Sequence, residues 1–264
     1  MEIFAYDFVW RAVVSLLCLS IVAGIVGTYI VVRRRVFVAG GITHASFGGI
    51  GIAYYLGLSP TLGALVFALL TAVGIELLGR RGKVREDSAV AMLWSLGMAV
   101  GLIFMFMTPG YAPNLMGFMF GDILAVTDAD VWSVGVAAVL LTVGAIVFYR
   151  PLLYVAFDAD FARLTRWPVG ATEWVMSAVV AVSIVLAIKA VGIILVLSVF
   201  TIPQAIAGRG ARSLAGMMTA SAIVAVVGSM IGLAIAFAAD LPVGAVVTVV
   251  LVAALCVAQI VRHH

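Results

Sequence analysis

One histidine lies within the apolar body of this sequence, in a segment that is dense in glycine. His44 stands in the stretch Ala39–Tyr55, which has five glycines in the twelve positions from 40 to 51. Glycine costs roughly 1 kcal/mol against alanine inside a soluble helix, but in a membrane helix it lets a neighbouring backbone approach closely. A titratable ring in such a helix either contacts an ion or ligand, or hydrogen-bonds a neighbouring carbonyl and only packs. The residues alone leave both alternatives open.

Two ridges of small residues run along this predicted helix, one through Gly41, Ala45 and Gly49 and the other through Gly40, His44 and Gly48. Residues four apart lie above one another on the same face. The first ridge therefore predicts close packing against another helix. The second predicts an imidazole that projects from a bare surface.

The composition predicts an all-α membrane protein. Of the 264 residues, 65% are hydrophobic and 10% are charged, whereas soluble domains carry about 25% charged residues. The apolar runs have about twenty residues, a length that suits membrane helices rather than barrel strands. We expect a single transmembrane domain over residues 1–264, a bundle of about eight to nine spans in a lipid bilayer, and no nucleic-acid partner.

Nine candidate spans follow along the chain, at about 8–32, 38–57, 60–79, 88–108, 131–149, 170–188, 190–207, 213–238 and 242–261. Counting one short or glycine-broken segment as partial leaves eight complete crossings. Pro203 is the one proline inside a span, so we expect the helix to kink or end there. Thirteen of the fifteen Lys and Arg residues fall at alternate loops. The positive-inside rule places those loops and the C-terminus in the cytoplasm, and the N-terminus outside.

The opposite side of the membrane is predicted to be acidic. Its candidate outer rim consists of Asp122, Asp128, Asp130 and Asp240, against the basic residues Lys189 and Arg11. Such a rim either concentrates cations at a mouth or only keeps the helix ends solvated.

Two loops have patterns of their own. Residues 114–126 are apolar but too short to cross, which predicts a re-entrant or interfacial segment on the outer side. A short cytoplasmic helix is predicted over about 157–166, with Asp158 as its N-cap and with Phe157, Phe161 and Leu164 along an apolar edge. That edge suits a groove on a soluble partner, although a helix lying on the lipid surface has the same pattern.

Motifs of catalysis are absent from the sequence. The run Gly79–Lys83 lacks the GxxxxGK[ST] spacing of a nucleotide-binding loop. Ser46 lies on a different helix face from His44, so the two do not form a hydrolase pair. We therefore expect no enzyme activity and no cofactor.

Six stretches, in one order between about residues 35 and 250, resemble the permease subunits of bacterial ABC importers for zinc, manganese and iron. Residues 39–55 resemble the family's Gly-Asp-x-x-x-His-Ala-x-x-x-Gly signature, and the others are 85–89, 114–124, 157–162, 191–203 and 240–244. The resemblance implies a type II ABC importer fold in a bacterial inner membrane. It implies a homodimer with the translocation path at its axis, a separate cytoplasmic ATPase and an external metal-binding protein. It also identifies the 157–166 segment, with Ala162, as the coupling helix that contacts the ATPase.

One departure from the family pattern bears on the metal. The family's aspartate four residues before the histidine is Gly40 here, so His44 alone provides too few ligands to hold an ion well. Either the ion passes with transient contact only, or other side chains help, for which the candidates are Thr43, Ser46, Ser198, Thr201 and Gln204. Imidazole suits zinc, whereas manganese prefers carboxylate and carbonyl oxygen. Zinc and manganese both stay open, with zinc slightly favoured and iron as a further option.

Two other functions fit parts of the pattern. A permease for a siderophore, haem or cobalamin would use the same machinery, but those permeases are usually larger, with ten spans. A channel or carrier that works without an ATPase would normally use an acid inside the membrane as its coupling site. Glu76 is the one acid well inside a span, and an ion pair with Arg80 near the cytoplasmic edge explains it better.

Overall fold

A computed structural model describes residues 7–80, 84–108, 121, 123 and 126–260, and these residues contain helices and connections without a strand. The helices are α1 (Asp7–Val32), α2 (Val36–Tyr55), α3 (Pro60–Arg80), α4 (Glu86–Met107), α5 (Asp128–Val147), α6 (Tyr149–Phe157), α7 (Ala159–Leu164), α8 (Val169–Val199), α9 (Ile202–Ala207), α10 (Leu214–Ala239) and α11 (Val243–Ile260). Of the predicted outer segment 114–126, only Gly121, Ile123 and Val126 are described. The rest of that segment, including Asp122, lies outside the described residues.

Eight stretches in the described part of the chain are long and apolar enough to cross a membrane. This number agrees with the predicted eight to nine, and the spans expected at 170–188 and 190–207 follow one another directly. They form one candidate stretch of 39 residues, Val169–Ala207. The chain breaks within it at Gly192, where φ is 77° and ψ is 166°, because glycine has no Cβ to oppose that conformation. No polar loop separates the two parts.

Pro203 explains the second break in this stretch. It lies in the first turn of α9, where a missing backbone N–H leaves no helical hydrogen bond unmade. The preceding helix ends at Val199. The prediction that a helix ends at this proline is confirmed.

The chain divides into two compact units. The first contains α1, α5 to α7, the part of α8 from Leu186 onward, and α9 to α11. The second contains α2 to α4 and α8 as far as Val185.

The first unit is held together by close helix contacts and capped helix ends. A Cβ built on Gly24 of α1 would lie 2.7 Å from Cβ of Ala222 on α10, and one on Gly232 of α10 would lie 2.6 Å from a methyl group of Val247 on α11. Thr127 starts α5 through a capping box with Asp130, because each residue's side chain accepts the other's backbone N–H. Small residues thus set the spacing of the long helices.

Candidate functional site

Helix α2 positions His44, and its glycines bring α4 against it at backbone distance. A Cβ built on Gly97 of α4 would lie 2.5 Å from both Cα and the carbonyl oxygen of Ala45, and one on Gly48 would lie 2.8 Å from the carbonyl oxygen of Gly97. Gly101 approaches the backbone of Phe47 in the same way. These approaches are closer than any side chain larger than hydrogen permits.

The ridge of Gly41, Ala45 and Gly49 faces two neighbouring helices rather than one. Gly41 packs against Val90 of α4 and Ala45 packs against Gly97, whereas Gly49 packs against Gly63 of α3. A drift of the row around the helix axis accounts for this, since residues four apart are rotated by about 40° at 3.6 residues per turn. The ridge therefore serves two helix contacts.

The His44 imidazole stacks on the indole of Trp94. The two ring centroids are 4.3 Å apart and the ring planes differ by 4°. Phe37, two turns earlier on α2, also contacts this indole, at 6.1 Å between centroids. His44 is partly exposed, and its ring nitrogens have no hydrogen-bond partner in the described part of the chain. The interpretation in which a carbonyl holds this ring therefore finds no support in those residues.

The neighbouring hydroxyls on α2 are differently placed. Thr43 and Ser46 are completely buried. The Thr43 hydroxyl donates to the carbonyl oxygen of Ala39 at 2.7 Å, and the Ser46 hydroxyl donates to that of Thr43 at 2.6 Å. Their protons are therefore used within the helix, and His44 alone of these three predicted residues has an accessible side chain.

Three more predicted residues lie together near the junction of α8 and α9. The hydroxyls of Ser198 and Thr201 donate to carbonyl oxygens one turn earlier, of Ile194 at 3.4 Å and of Leu197 at 2.6 Å. The Gln204 side chain is completely buried, and its Nε2 donates to the carbonyl oxygens of Ala23 at 2.7 Å and Val199 at 3.3 Å. Gln204 thus fastens α9 to the middle of α1. These three residues belong to the first unit and His44 to the second.

Two of the four predicted rim aspartates are engaged by basic side chains. Asp128 forms a two-point ion pair with Arg11, at 2.7 Å and 3.0 Å. Asp130 is buried, caps α5 with Thr127 and forms an ion pair with Lys189. Asp240 is exposed and ends α10 in a left-handed conformation with φ of 55°. Of the described aspartates in the rim, only Asp240 presents its charge without a basic partner.

Glu76 is nearly buried and has a partner that the sequence did not indicate. Its Oε1 accepts a hydrogen bond from Nη1 of Arg35, at the start of α2, at 2.5 Å, and another from the Ser177 hydroxyl at 2.9 Å. Glu86 also lies 3.7 Å from this arginine. The predicted ion pair between Glu76 and Arg80 stays a prediction, because the Arg80 side chain lies outside the described part of the chain.

The predicted cytoplasmic helix is present but shorter than 157–166. It is α7, and the Asp158 carboxylate caps it by accepting the backbone N–H of Phe161 at 2.9 Å. Phe157 instead ends α6. The side chains of Phe157, Phe161 and Leu164 are 65%, 46% and 82% exposed, whereas Ala162 is completely buried. An exposed apolar edge therefore runs from the end of α6 along this short helix.

The described residues contain no group of three or more His, Cys, Asp or Glu side chains that could hold a metal ion. A neutral, partly exposed imidazole nevertheless has one ring nitrogen whose lone pair can bind a borderline divalent ion. The chemistry available at His44 is therefore a weak, single-residue contact rather than a closed cage.

Comparison with known proteins gives matches over nearly the whole chain. A sequence profile of the ABC 3 transport family matches residues 5–262. A probable metal transport system membrane protein of Chlamydia pneumoniae is 36% identical over 248 residues, which cover 90% of this chain and 85% of that protein. The manganese transport system membrane protein MntC of Halalkalibacterium halodurans is 30% identical over 250 residues, covering 94% and 85%.

Among solved structures, PsaBC from Streptococcus pneumoniae in complex with Fab matches with a TM-score of 0.88 at 26% identity, covering 97% of this chain and 92% of that chain. An inward-facing metal-chelate type ABC transporter has a TM-score of 0.73 at 15% identity, covering 95% and 85%, which bears on the fold alone. The chain is thus similar in sequence and in helix arrangement to ABC permeases.

Proposed function

This chain belongs to the ABC 3 transport family as a multi-pass membrane permease of metal transport, and from that premise we propose that it imports a divalent metal ion. The ion would be manganese(II), carried along a path formed by two copies of the chain. A separate cytoplasmic ATPase would drive transport, and an external metal-binding protein would deliver the ion. The full-length match to relatives described as metal and manganese transport membrane proteins carries this proposal.

Zinc is a second candidate cargo, because one specific observation favours it. His44 offers neutral nitrogen, and Gly40 has no carboxylate where the family pattern has aspartate. Nitrogen ligands suit zinc, whereas manganese prefers oxygen. Uptake of radioactive manganese and zinc by cells that express this chain with its transport partners would distinguish the two, and competition between the ions would rank them.

His44 is the residue that we expect to contact the passing ion, together with its symmetry copy in the dimer. In a cell that depends on this transporter, His44→Ala should lower the rate of metal uptake while leaving the amount of assembled protein unchanged. Val36→Ala is a suitable control, since Val36 is an exposed apolar residue on the same helix. Uptake at the wild-type rate by His44→Ala would remove this residue from the mechanism.

We place the N-terminus outside and the C-terminus in the cytoplasm by the positive-inside rule, and contacts within the first unit fit termini on opposite sides. Lys189 and Arg11 both pair with the start of α5, through Asp130 and Asp128. Gln204, fifteen residues after Lys189, reaches Ala23, twelve residues after Arg11. The chain after Gly192 therefore runs in the same direction as α1. This direction fits a partial pass back towards the side of the membrane on which α1 ends, and so an odd number of passes in total. Labelling of single cysteines at positions 34 and 240 from either side tests the orientation.

The partners are best tested by purifying a tagged chain from native membranes. An ATPase at equal stoichiometry, together with an untagged copy of the same chain, would support the proposed complex. Recovery of the chain without any nucleotide-binding protein would contradict it and would favour a channel or carrier that works without ATP. Metal analysis of the purified complex reports the cargo independently of uptake.

A further inference from the structure

We infer that Trp94 is a positioning residue for metal passage, which acts through its stacking contact with His44. The inference rests on the proposed role of His44. It starts from two rings that are parallel within 4° and separated by 4.3 Å between centroids. The indole belongs to α4 and the imidazole to α2, and both helices lie in the second unit.

Trp94 restricts the orientation of the His44 ring, as a hydrogen bond does in ordinary metal sites. A histidine that binds a metal usually donates its second N–H to a carboxylate or carbonyl, which fixes the orientation of the ring. In the described part of the chain His44 has no such partner. The flat contact with Trp94 is then what restricts rotation of the imidazole about its side-chain bonds.

The stacking leaves the metal-binding edge of the imidazole open. The lone pair of an imidazole nitrogen lies in the plane of the ring, so an ion approaches along that plane. Trp94 covers a face of the ring and not its edge. An ion can therefore bind a nitrogen of His44 without displacing the indole.

The contact also favours the loaded state over the empty one. A metal ion bound at nitrogen makes the imidazole electron-poor, and the face of an indole attracts positive charge. A leucine fills only part of the space and has no such face, whereas phenylalanine retains part of the attraction. Trp94 should therefore stabilise the metal-bound imidazole more than the free one.

The spacing of α2 and α4 is what makes the stack possible. Trp94 lies one turn before Gly97, on the side of α4 that approaches α2, and Gly97 touches the backbone of Ala45, the residue after His44. The glycine contact brings the helix axes close, so the two flat rings lie over one another. A second aromatic contact between the same helices, Tyr55 with Phe104 at 5.4 Å, lies further along and does not involve His44.

The test compares five variants of the complete transporter in cells, with radioactive manganese(II) and zinc(II) as probes. Trp94→Leu should raise the concentration for half-maximal uptake by about threefold to tenfold, the range that a cation–π contact of ordinary strength produces. Trp94→Phe should restore most of the loss. Phe104→Leu, the matched control, should behave like the wild type. In the His44→Ala background, Trp94→Leu should have no further effect.

A spectroscopic measurement supports the test where His44→Ala leaves little uptake to measure. The difference in fluorescence between the wild type and Trp94→Phe reports on this indole, and manganese(II) should quench it only when His44 is present. Quenching that persists in His44→Ala, or an effect of Trp94→Leu that Phe104→Leu reproduces, would overturn the inference while leaving the proposed function intact. Normal uptake by His44→Ala would overturn the proposed role of His44 first.

Discussion

Adding one methyl group at Gly97 should separate α2 from α4. The new Cβ would lie 2.5 Å from Cα and the carbonyl oxygen of Ala45, whereas ordinary contacts begin at 3.4 Å. The helices would have to move apart by about 1 Å, because the atoms in the way are backbone atoms and cannot rotate aside. Overpacking of this kind costs about 1–3 kcal/mol. Alanine also gains about 1 kcal/mol in helix propensity over glycine, which partly masks the cost.

Gly135→Ala on α5 is the matched control, because nothing lies within 4 Å of a Cβ at that position. The gain in propensity is the same in both variants, so their difference reports the overpacking alone. At 2–4 °C per kcal/mol, a cost of about 2 kcal/mol should place the melting temperature of Gly97→Ala about 4–8 °C below that of Gly135→Ala. Thermal unfolding of the detergent-purified protein measures this. Equal melting temperatures would refute the close-contact reasoning for α2 and α4.

Three further substitutions test other parts of the structure. Phe161→Asp should abolish co-purification of the ATPase without loss of folded protein, since the Phe161 side chain is 46% exposed. The control Asp160→Asn changes an exposed residue of the same helix. Equal recovery of the ATPase with both variants would contradict the docking role. Gln204→Glu should destabilise the protein more than Gln204→Met, because a carboxylate there would face two carbonyl oxygens. Glu76→Gln should lower the free energy of unfolding by about 3 kcal/mol. Glu86→Gln, which affects the same arginine from an exposed position, should lower it little. Equal thermal stability of the two variants would argue against a buried ion pair.

The sequence predicted the fold and the family because both depend on local patterns. Long apolar runs mark the membrane helices, and Asp158 and Pro203 mark helix ends through the hydrogen bonds that they can or cannot make. The junction between the spans expected at 170–188 and 190–207 is harder to see in the sequence. A change of direction at Gly192 needs only one residue with positive φ, and such a break has no polar loop by which the sequence would show it.

Contacts between distant helices could not be predicted in this way. Helical spacing shows which residues share a face, but not which helix that face meets. Asp128 pairs with Arg11 at a separation of 117 residues, and Glu76 pairs with Arg35 at a separation of 41 residues. Trp94 lies in an ordinary apolar run, and nothing in that run points to His44. The predicted roles of His44 and of the oxygen-bearing candidates stay predictions.

The proposed contact of the passing ion with one imidazole from each chain has a consequence for selectivity. Passage requires binding that is strong enough to admit the ion and weak enough to release it. The described residues provide no cluster of three metal-binding side chains, and Asp128 and Asp130 are engaged by Arg11 and Lys189. If the proposed contact with His44 is right, a single nitrogen ligand from each chain should discriminate little between divalent ions. Selection would then fall mainly to the proposed external metal-binding protein.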